Sequence, residues 1–479
     1  MDCVDQRFIR SNAAERLWLR QSNRLDPPPL INPRPDTAHM NGNATVVGGG
    51  LAGLVAATRL AEAGADVTLY ERRPEVGGRV RTETVDGFTV DRGFQVLFSS
   101  YPAVERELGA DGLDDLDLRT FAPGATICRP GSRSTLGDPL RDPLSAIPSL
   151  LNDEVSFSDK LRTLALRYDL GNRDEGEFFA GRDAPIREYL RDWGFADDYV
   201  ENFVEPFYGG ITLDRSLSTS KHVFEYTFRA MGRGSIGVPA EGMAALPAAL
   251  ADRAREAGVE IETGGDVEAV RIAGGGRIPF RTGAADADGA TVELADGTTR
   301  ETDAVVVATS PPEARRLTGV ESAPTEGVPN VTGWFALPAG ESFETGGRIL
   351  LNAADESPNA VVPMSEVAPE YAPGDRALLA ATFLGQESLD RDERDLRDDV
   401  RDALDAWFPD RDFGGLETLD VHRIRFAQFA QPPGVHADLP KPDDPEGPVV
   451  LAGDYTEWSS IQGALESGRK AANAAGGHL

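Results

Sequence analysis

The chain has 479 residues, 79 of them acidic against 48 basic, for a formal net charge of -31. At roughly 100–200 residues per domain, this length predicts two or three domains, and a hydrophobic content of 40% is that of a globular protein rather than a disordered or fibrous one. So acidic a surface excludes nucleic acid, whose phosphates demand a basic footprint, and two cysteines, Cys3 and Cys128, exclude a disulfide framework, a thiolate zinc site and a Cys-x-x-Cys pair.

Only four of the basic residues are lysines, namely Lys160, Lys221, Lys441 and Lys470. Carboxylates in excess with arginine as the main cation suggest a salt-adapted surface, because at molar salt the Debye length of about 3 Å screens their repulsion. The plainer alternative is an acidic protein of an ordinary cytoplasm. No apolar run approaches the roughly 20 residues of a membrane span, and the N-terminus has no signal-peptide core. A cytoplasmic location, with at most a peripheral membrane contact, is the expectation.

Residues 1–39 carry Pro27-Pro28-Pro29, Pro33 and Pro35 and no sustained period. They read as an unfolded extension, with Met40 as the expected true start and a short regulatory or targeting arm as the alternative. From Thr45 a βαβ pattern begins. A β-branched run ends at Val46-Val47, a glycine cluster follows, a helix runs from Leu51 to Ala63, Gly64 stops it, and a second strand spans Val67 to Glu71. Asp86-Gly87 and Asp296-Gly297 read as hairpin turns. Val259 to Ile272, the all-apolar Ala304 to Ala308 and Val449 to Leu451 read as further parts of the same sheet domain. This predicts an α/β architecture in which a dinucleotide-binding domain (40–100, 236–310 and 441–479) is interleaved with an α+β substrate-binding domain (101–235 and 311–440). Asp390 to Asp402 reads as one solvated helix.

The strongest chemical signal is Gly48-Gly49-Gly50-Leu51-Ala52-Gly53 between strand and helix. Gly48 permits the turn, Gly50 lets a pyrophosphate approach the backbone, and Gly53 lets helix and sheet pack closely. The phosphates then meet a helix N-terminus, where free N–H groups favour negative charge. Glu71, closing the second strand, has the position to accept hydrogen bonds from a ribose diol. Beyond it lie Arg72-Arg73 and Gly77-Gly78-Arg79, whose glycine pair and arginine can bring a further cation to the pyrophosphate.

On these residues the chain resembles the flavin-containing amine oxidase and phytoene desaturase superfamily. The resemblance implies a Rossmann-type, glutathione-reductase-like FAD-binding domain, FAD as cofactor, and an oxidoreductase. It extends to Val449-Val450-Leu451-Ala452-Gly453-Asp454 and to Ser459-Ser460-Ile461-Gln462-Gly463-Ala464. It implies that Gly453 and Asp454 meet the flavin's ribityl or phosphate region and that the helix at Gly463 faces the flavin ring. It further implies that Gly93, Phe94 and Gln95 lie against the flavin and that Val267 covers the adenine. The alternatives for these last two segments are a structural turn and a core valine. Pro206-Phe207-Tyr208-Gly209-Gly210-Ile211 and Val238 to Met243 are similar to segments of desaturase-like and protoporphyrinogen oxidase-like members, and the acidic composition suggests a haloarchaeal one. No cysteine lies near Tyr455 or Trp458, so the FAD is expected to be non-covalent.

The five histidines, His39, His222, His422, His436 and His478, lack the spacing of a zinc-binding helix, so no metal site is expected. A serine-hydrolase elbow is also absent. Lys221 reads as a surface residue rather than a flavin-side lysine. Tyr208, Tyr455 and Trp458 are the first candidates for a substrate pocket, followed by Trp334 and Phe335, although aromatics default to the core. The implied reaction is hydride transfer to FAD from a small-molecule substrate that is long, largely apolar and isoprenoid- or carotenoid-like, with an acceptor and an oligomeric state that the sequence does not identify. An amine oxidase proper, a protoporphyrinogen oxidase-like enzyme and a non-catalytic flavoprotein are the alternatives. The apolar positions of Pro139 to Leu151 read as either an entrance for such a substrate or ordinary packing. From the charge alone, the melting temperature should rise between low and molar KCl; a flat or falling Tm in that titration contradicts salt adaptation.

Overall fold

A computed structural model describes residues 42–137, 156–272, 289–338, 340, 343–354, 357–445 and 447–479. The 1–39 extension, Met40 and the 139–151 block lie outside them. Five parallel strands form the first sheet: β1 (Asn43–Val47), β2 (Asp66–Glu71), β3 (Glu260–Thr263), β4 (Ala304–Val307) and β5 (Val449–Leu451), in the order β3-β2-β1-β4-β5. Its centre is covered on both faces. That is why β4 is an unbroken apolar run with all four residues buried. Helix α1 (Leu51–Glu62) connects β1 to β2 and is buried along most of its length. The sequence joined Val259 to Ile272 as one segment; the structure divides it. Glu260–Thr263 is the sheet edge, whereas Val267–Ile272 turns into a separate antiparallel sheet with Ala290–Leu294 and Thr299–Thr302.

A seven-stranded sheet forms the other lobe, in the order 417–429, 327–337, 377–383, 360–363, 349–352, 125–129 and 132–136. Alternation along 327–337 sends Trp334 and Ala336 to one face and Val331, Phe335 and Leu337 to the other. Against the second face packs the helix Glu393–Trp407, through Leu396, Val400, Leu404 and Trp407. The charge-dense stretch is therefore amphipathic rather than solvated all round, with its first charged residues lying before the helix. The remaining helices include α2 (Phe157–Gly171), α3 (Glu205–Thr212) and α4 (Lys221–Arg233). The chain then returns to the first lobe for its last helix, α5 (Ile461–Ala475). A Cβ on Gly468 would strike the Ala52 carbonyl, so α5 crosses α1 at backbone contact.

Segments of both lobes meet at Asp91, which is 1% exposed. Its carboxylate accepts from Thr82 Oγ1 at 2.5 Å, from the Met243 N–H at 2.8 Å and from the Tyr371 hydroxyl at 3.2 Å. Its backbone carbonyl accepts from Trp334 Nε1 at 3.0 Å. Burial pushes this carboxyl up to about 6 despite those hydrogen bonds. The unfolded chain gives up the Asp91 proton near the ordinary value of about 3.9, while the folded chain holds it until about 6. The associated stability is thus complete below pH 4, declines as the pH rises through 4 to 6, and is constant above. In Asp91→Asn this decline should vanish, changing the pH dependence of unfolding free energy across that window by about 3 kcal/mol relative to the parent. Denaturant melts at several pH values measure it, and parallel profiles for the two proteins would refute it.

Candidate dinucleotide and substrate cavity

A cavity of ≈1150 Å³ opens at the C-terminal ends of β1, β2, β4 and β5 and continues between α2, α3 and α4. That exceeds the roughly 300–1,000 Å³ of a typical ligand pocket, enough for two molecules to meet. At its sheet end, Gly48 takes φ 110°, where an added Cβ would lie 2.6 Å from the Ala308 carbonyl oxygen. Gly53 is closed by contact too, since its Cβ would run into the Gly48 carbonyl. Gly50 differs. Its φ of -79° suits any residue, and a Cβ there meets only Gly78 Cα, at 3.9 Å. The absent side chain is therefore space left beside the first turn of α1, whose N–H groups have no partners within the helix. Gly50, Leu51 and Ala52 line the cavity, and that turn contains no acidic residue.

Glu71 stands at the end of β2 and is 5% exposed. One of its oxygens accepts the Gly49 N–H at 2.8 Å and the other the Arg73 N–H at 3.0 Å. The loop holding Gly77-Gly78 docks on the first glycine loop, with the Gly77 N–H donating to the Gly49 carbonyl at 2.7 Å. Arg72, Gly78 and Arg79 line the same wall. Arg79 forms an ion pair with Asp454 at 2.6 Å, and Asp454 also accepts from Ser459 Oγ at 2.8 Å. Gly93, Phe94 and Gln95 line the cavity as one turn. Its backbone is held by Gly93 N–H to His422 Nδ1 at 3.1 Å and Phe94 N–H to Thr332 Oγ1 at 3.2 Å. Val267 and Gly453 complete this end. The open Gly50 cradle, the free helix N-terminus, the buried carboxylate and the nearby arginines fit the phosphates and sugar of FAD.

Several expected residues sit elsewhere. Gly463 is not on the cavity wall. Its N–H donates to Ser460 Oγ at 2.8 Å, and Ser460, Ile461 and Ala464 reach the cavity instead. Tyr455 is also not on the wall, because one tight turn sends Asp454 to the cavity and the Tyr455 ring under Gly453 into the core. Trp334 and Phe335 are fully buried on the two faces of the large sheet. Lys221 is no free surface residue: it pairs with buried Glu225 at 3.3 Å and lies 5.2 Å from the Tyr189 ring centroid. Tyr208 and Trp458 do line the cavity. Burial holds the Tyr208 phenol well above its ordinary value, so it remains neutral.

Apart from Tyr208, the sequence reading missed the apolar end of the cavity, whose wall also includes Tyr199, Phe203, Phe207 and Phe228. Phe195, Tyr199, Phe203 and Phe207 follow one another at ring-centroid distances of 5.2, 5.6 and 5.4 Å. Tyr208, Phe224 and Phe228 continue the series at 5.6, 4.5 and 5.5 Å. The turn carrying Phe203, Val200–Val204, is a π-helix, a widened turn common at functional sites. The i, i+4 aromatic spacing from 195 to 207 was the available signal. Leu161 and Leu164 of α2 line the same end yet are 52% and 41% exposed, with Tyr168 of that helix 77% exposed. Among the described residues no helix is long and apolar enough to cross a membrane.

The family model described as flavin containing amine oxidoreductase matches residues 51–475. Similar proteins include the chloroplastic/chromoplastic 15-cis-phytoene desaturase of Arabidopsis thaliana, 24% identical over 88% of this chain and 78% of that protein. Another is the carotenoid 3,4-desaturase of Haloarcula japonica, 40% identical over 17% of each chain. Among solved structures, an oxidoreductase from Methanosarcina mazei superposes with a TM-score of 0.66 at 18% identity, covering 89% of this chain and 99% of its own, which shows the shared fold. Gly50→Asp should therefore fold normally and retain no FAD, since its carboxylate occupies the phosphate space. Glu71→Ala should weaken FAD by roughly 1.5–3 kcal/mol, a factor of about 10–150. Flavin absorbance after gel filtration checks both, and a fully yellow Gly50→Asp protein would contradict the assignment.

Proposed function

The chain belongs to the flavin containing amine oxidoreductase family, and from that premise we propose that this FAD-dependent oxidoreductase dehydrogenates a long, largely apolar molecule at carbon. One observation carries the reading: the distribution of charge along the cavity. Among the described residues, the four lining carboxylates, Glu71, Asp266, Glu313 and Asp454, all belong to the end built by the parallel strands and the Val267 segment. Helix α2 adds only cations, Lys160 and Arg167, beside Leu161 and Leu164. Among the described residues no lining carboxylate stands at that end to receive an ammonium, whereas a polyene meets an aromatic wall.

FAD, when bound, supplies a hydride acceptor. The residues of the chain do the positioning. Phe203, Phe207, Tyr208 and Phe228 hold an extended chain by its faces and keep water from the reacting carbon. The Arg79–Asp454 pair fixes the far wall, and the N-terminus of α5 at Ser460 and Ile461 stabilises negative charge building up nearby. Forming a carbon–carbon double bond also releases a proton from the adjacent carbon; with no carboxylate among the described apolar lining to take it, that proton would pass to solvent at the cavity mouth. The exposed Leu161, Leu164 and Tyr168 face suits contact with a lipid surface in which an apolar substrate dissolves.

The resemblance of the Arabidopsis and Haloarcula desaturases supports the same substrate class. Anaerobic stopped-flow mixing tests it, with polyisoprenoids in detergent compared against simple amines. Flavin bleaching by a polyisoprenoid is the expected result, and Phe207→Asp should slow that bleaching at least about tenfold while retaining FAD. Rapid bleaching by an amine with none by any polyene reverses the proposal.

A further inference from the structure

Beside the cavity, but outside it, the fold gathers three residues from distant parts of the chain: Asp183, His222 and His436. A ring nitrogen of each histidine and a carboxylate oxygen of Asp183 all lie within 4.8 Å of one another. We propose that these three residues bind a divalent transition-metal ion of the zinc type.

The hydrogen-bond pattern makes the case. Three donors hold Asp183: it accepts from the Ala184 and Gly434 N–H groups, each at 2.8 Å, and from the Ser220 hydroxyl, whose Oγ lies 2.8 and 2.9 Å from its two oxygens, which leaves one of its roughly four acceptor sites for an ion. Those donors fix the carboxylate, and nothing in the pattern requires an imidazole. His222 Nδ1 lies 3.9 Å from Asp183, too far for a hydrogen bond. Two ligands at zinc bond lengths of roughly 2.0–2.2 Å are about 3.3–3.6 Å apart in a tetrahedron, so the Asp183 carboxylate and the His222 ring lie close enough for a small rotation of the imidazole to bring one of its nitrogens onto a shared ion. His222 is 4% exposed and its Nε2 is buried with no partner. His436 Nδ1 is buried and unpartnered too, while its Nε2 lies 3.3 Å from Gln431 Oε1. A hydrogen bond from Nε2–H to that amide oxygen leaves the lone pair on Nδ1. Metal-binding histidines have the same arrangement, one nitrogen on the ion and the other donating to a carbonyl or carboxylate.

The ligand set has two imidazoles and one carboxylate, with a fourth position for water. It suits Zn²⁺, Co²⁺ or Ni²⁺ better than Ca²⁺ or Mg²⁺, which require mainly oxygen ligands. Phe179 covers both imidazoles at 5.9 and 4.7 Å between centroids. The ion's position gives it structural leverage. Ser220, which binds Asp183, caps the N-terminus of α4, and Gln431 lines the cavity and accepts the Ser459 N–H at 2.9 Å. An ion would thus clamp the 183 loop, the start of α4 and the segment around His436 against the cavity wall.

The test uses the untagged full chain with FAD bound, stripped with a chelator and titrated with Zn²⁺ by calorimetry, then with Co²⁺ followed by visible absorption. The expected result is one Zn²⁺ per chain, a higher Tm, and tetrahedral Co²⁺ bands. His436→Ala and His222→Gln should each weaken the ion more than about a hundredfold, exceeding the loss typical of supporting residues. Retained flavin reports that the variants fold, and His436, which is partly exposed, tolerates truncation. No Zn²⁺ uptake by the folded parent at submillimolar free zinc overturns the proposal, as does stoichiometric uptake that both variants preserve.

Discussion

Asp91 is the constraint on which the two lobes depend. A carboxylate buried to 1% exposure survives only because donors reach it from three directions. Those donors belong to the hairpin before it, to the loop entering helix Ala245–Glu256, and to the short turn Pro369–Tyr371 beside the large sheet. The same residue's carbonyl anchors Trp334 in the sheet itself. The next four residues form the turn that lines the cavity. The position of that turn is therefore inherited from a polar junction and not from hydrophobic packing, which is non-directional and would set it loosely.

The glycine loop and Glu71 were legible because their information is local. A strand, a set of glycines and a carboxylate at fixed offsets encode backbone geometry within some thirty residues. Parallel strands β4 and β5 were legible for a related reason, since burial on both faces removes alternation from the sequence. Tyr455 and Gly463 mark the limit of this local information. Motif adjacency locates the loop near the cofactor but not which of two consecutive side chains enters the cavity, and at Asp454-Tyr455 a single tight turn decides it. Trp334 was equally ambiguous, since an indole with its N–H satisfied by Asp91 fits the core as well as a pocket.

The apolar end and the histidine cluster were illegible for different reasons. The aromatic series was present as an i, i+4 spacing, but that spacing alone does not distinguish a cavity wall from an ordinary core face. Asp183, His222 and His436 share no periodicity at all. They converge because α4 starts where the 183 loop and the segment after β-strand 417–429 meet, a fact of topology alone. The molecule also separates its charges: carboxylates dominate the sequence, whereas arginines and Lys160 concentrate on the cavity wall. An anionic cofactor is thus drawn inward from a surface that repels it elsewhere.

The crossing of α1 and α5 has a consequence for biosynthesis. Ala52 lies near the beginning of the described chain and Gly468 near its end, yet their backbones touch. The sheet's order places β5, made from residues 449–451, beside β4, and Asp454 and Ser460 come later still. During translation the glycine loop emerges early and waits for more than 350 residues before its opposite wall exists. A ribosome-bound or prematurely terminated chain therefore exposes an incomplete cradle with an unpaired strand edge, a species prone to aggregation or proteolysis. Cofactor capture therefore waits until the residues through Ala464 have been made, and occupancy of the site reports that the chain has been read at least that far.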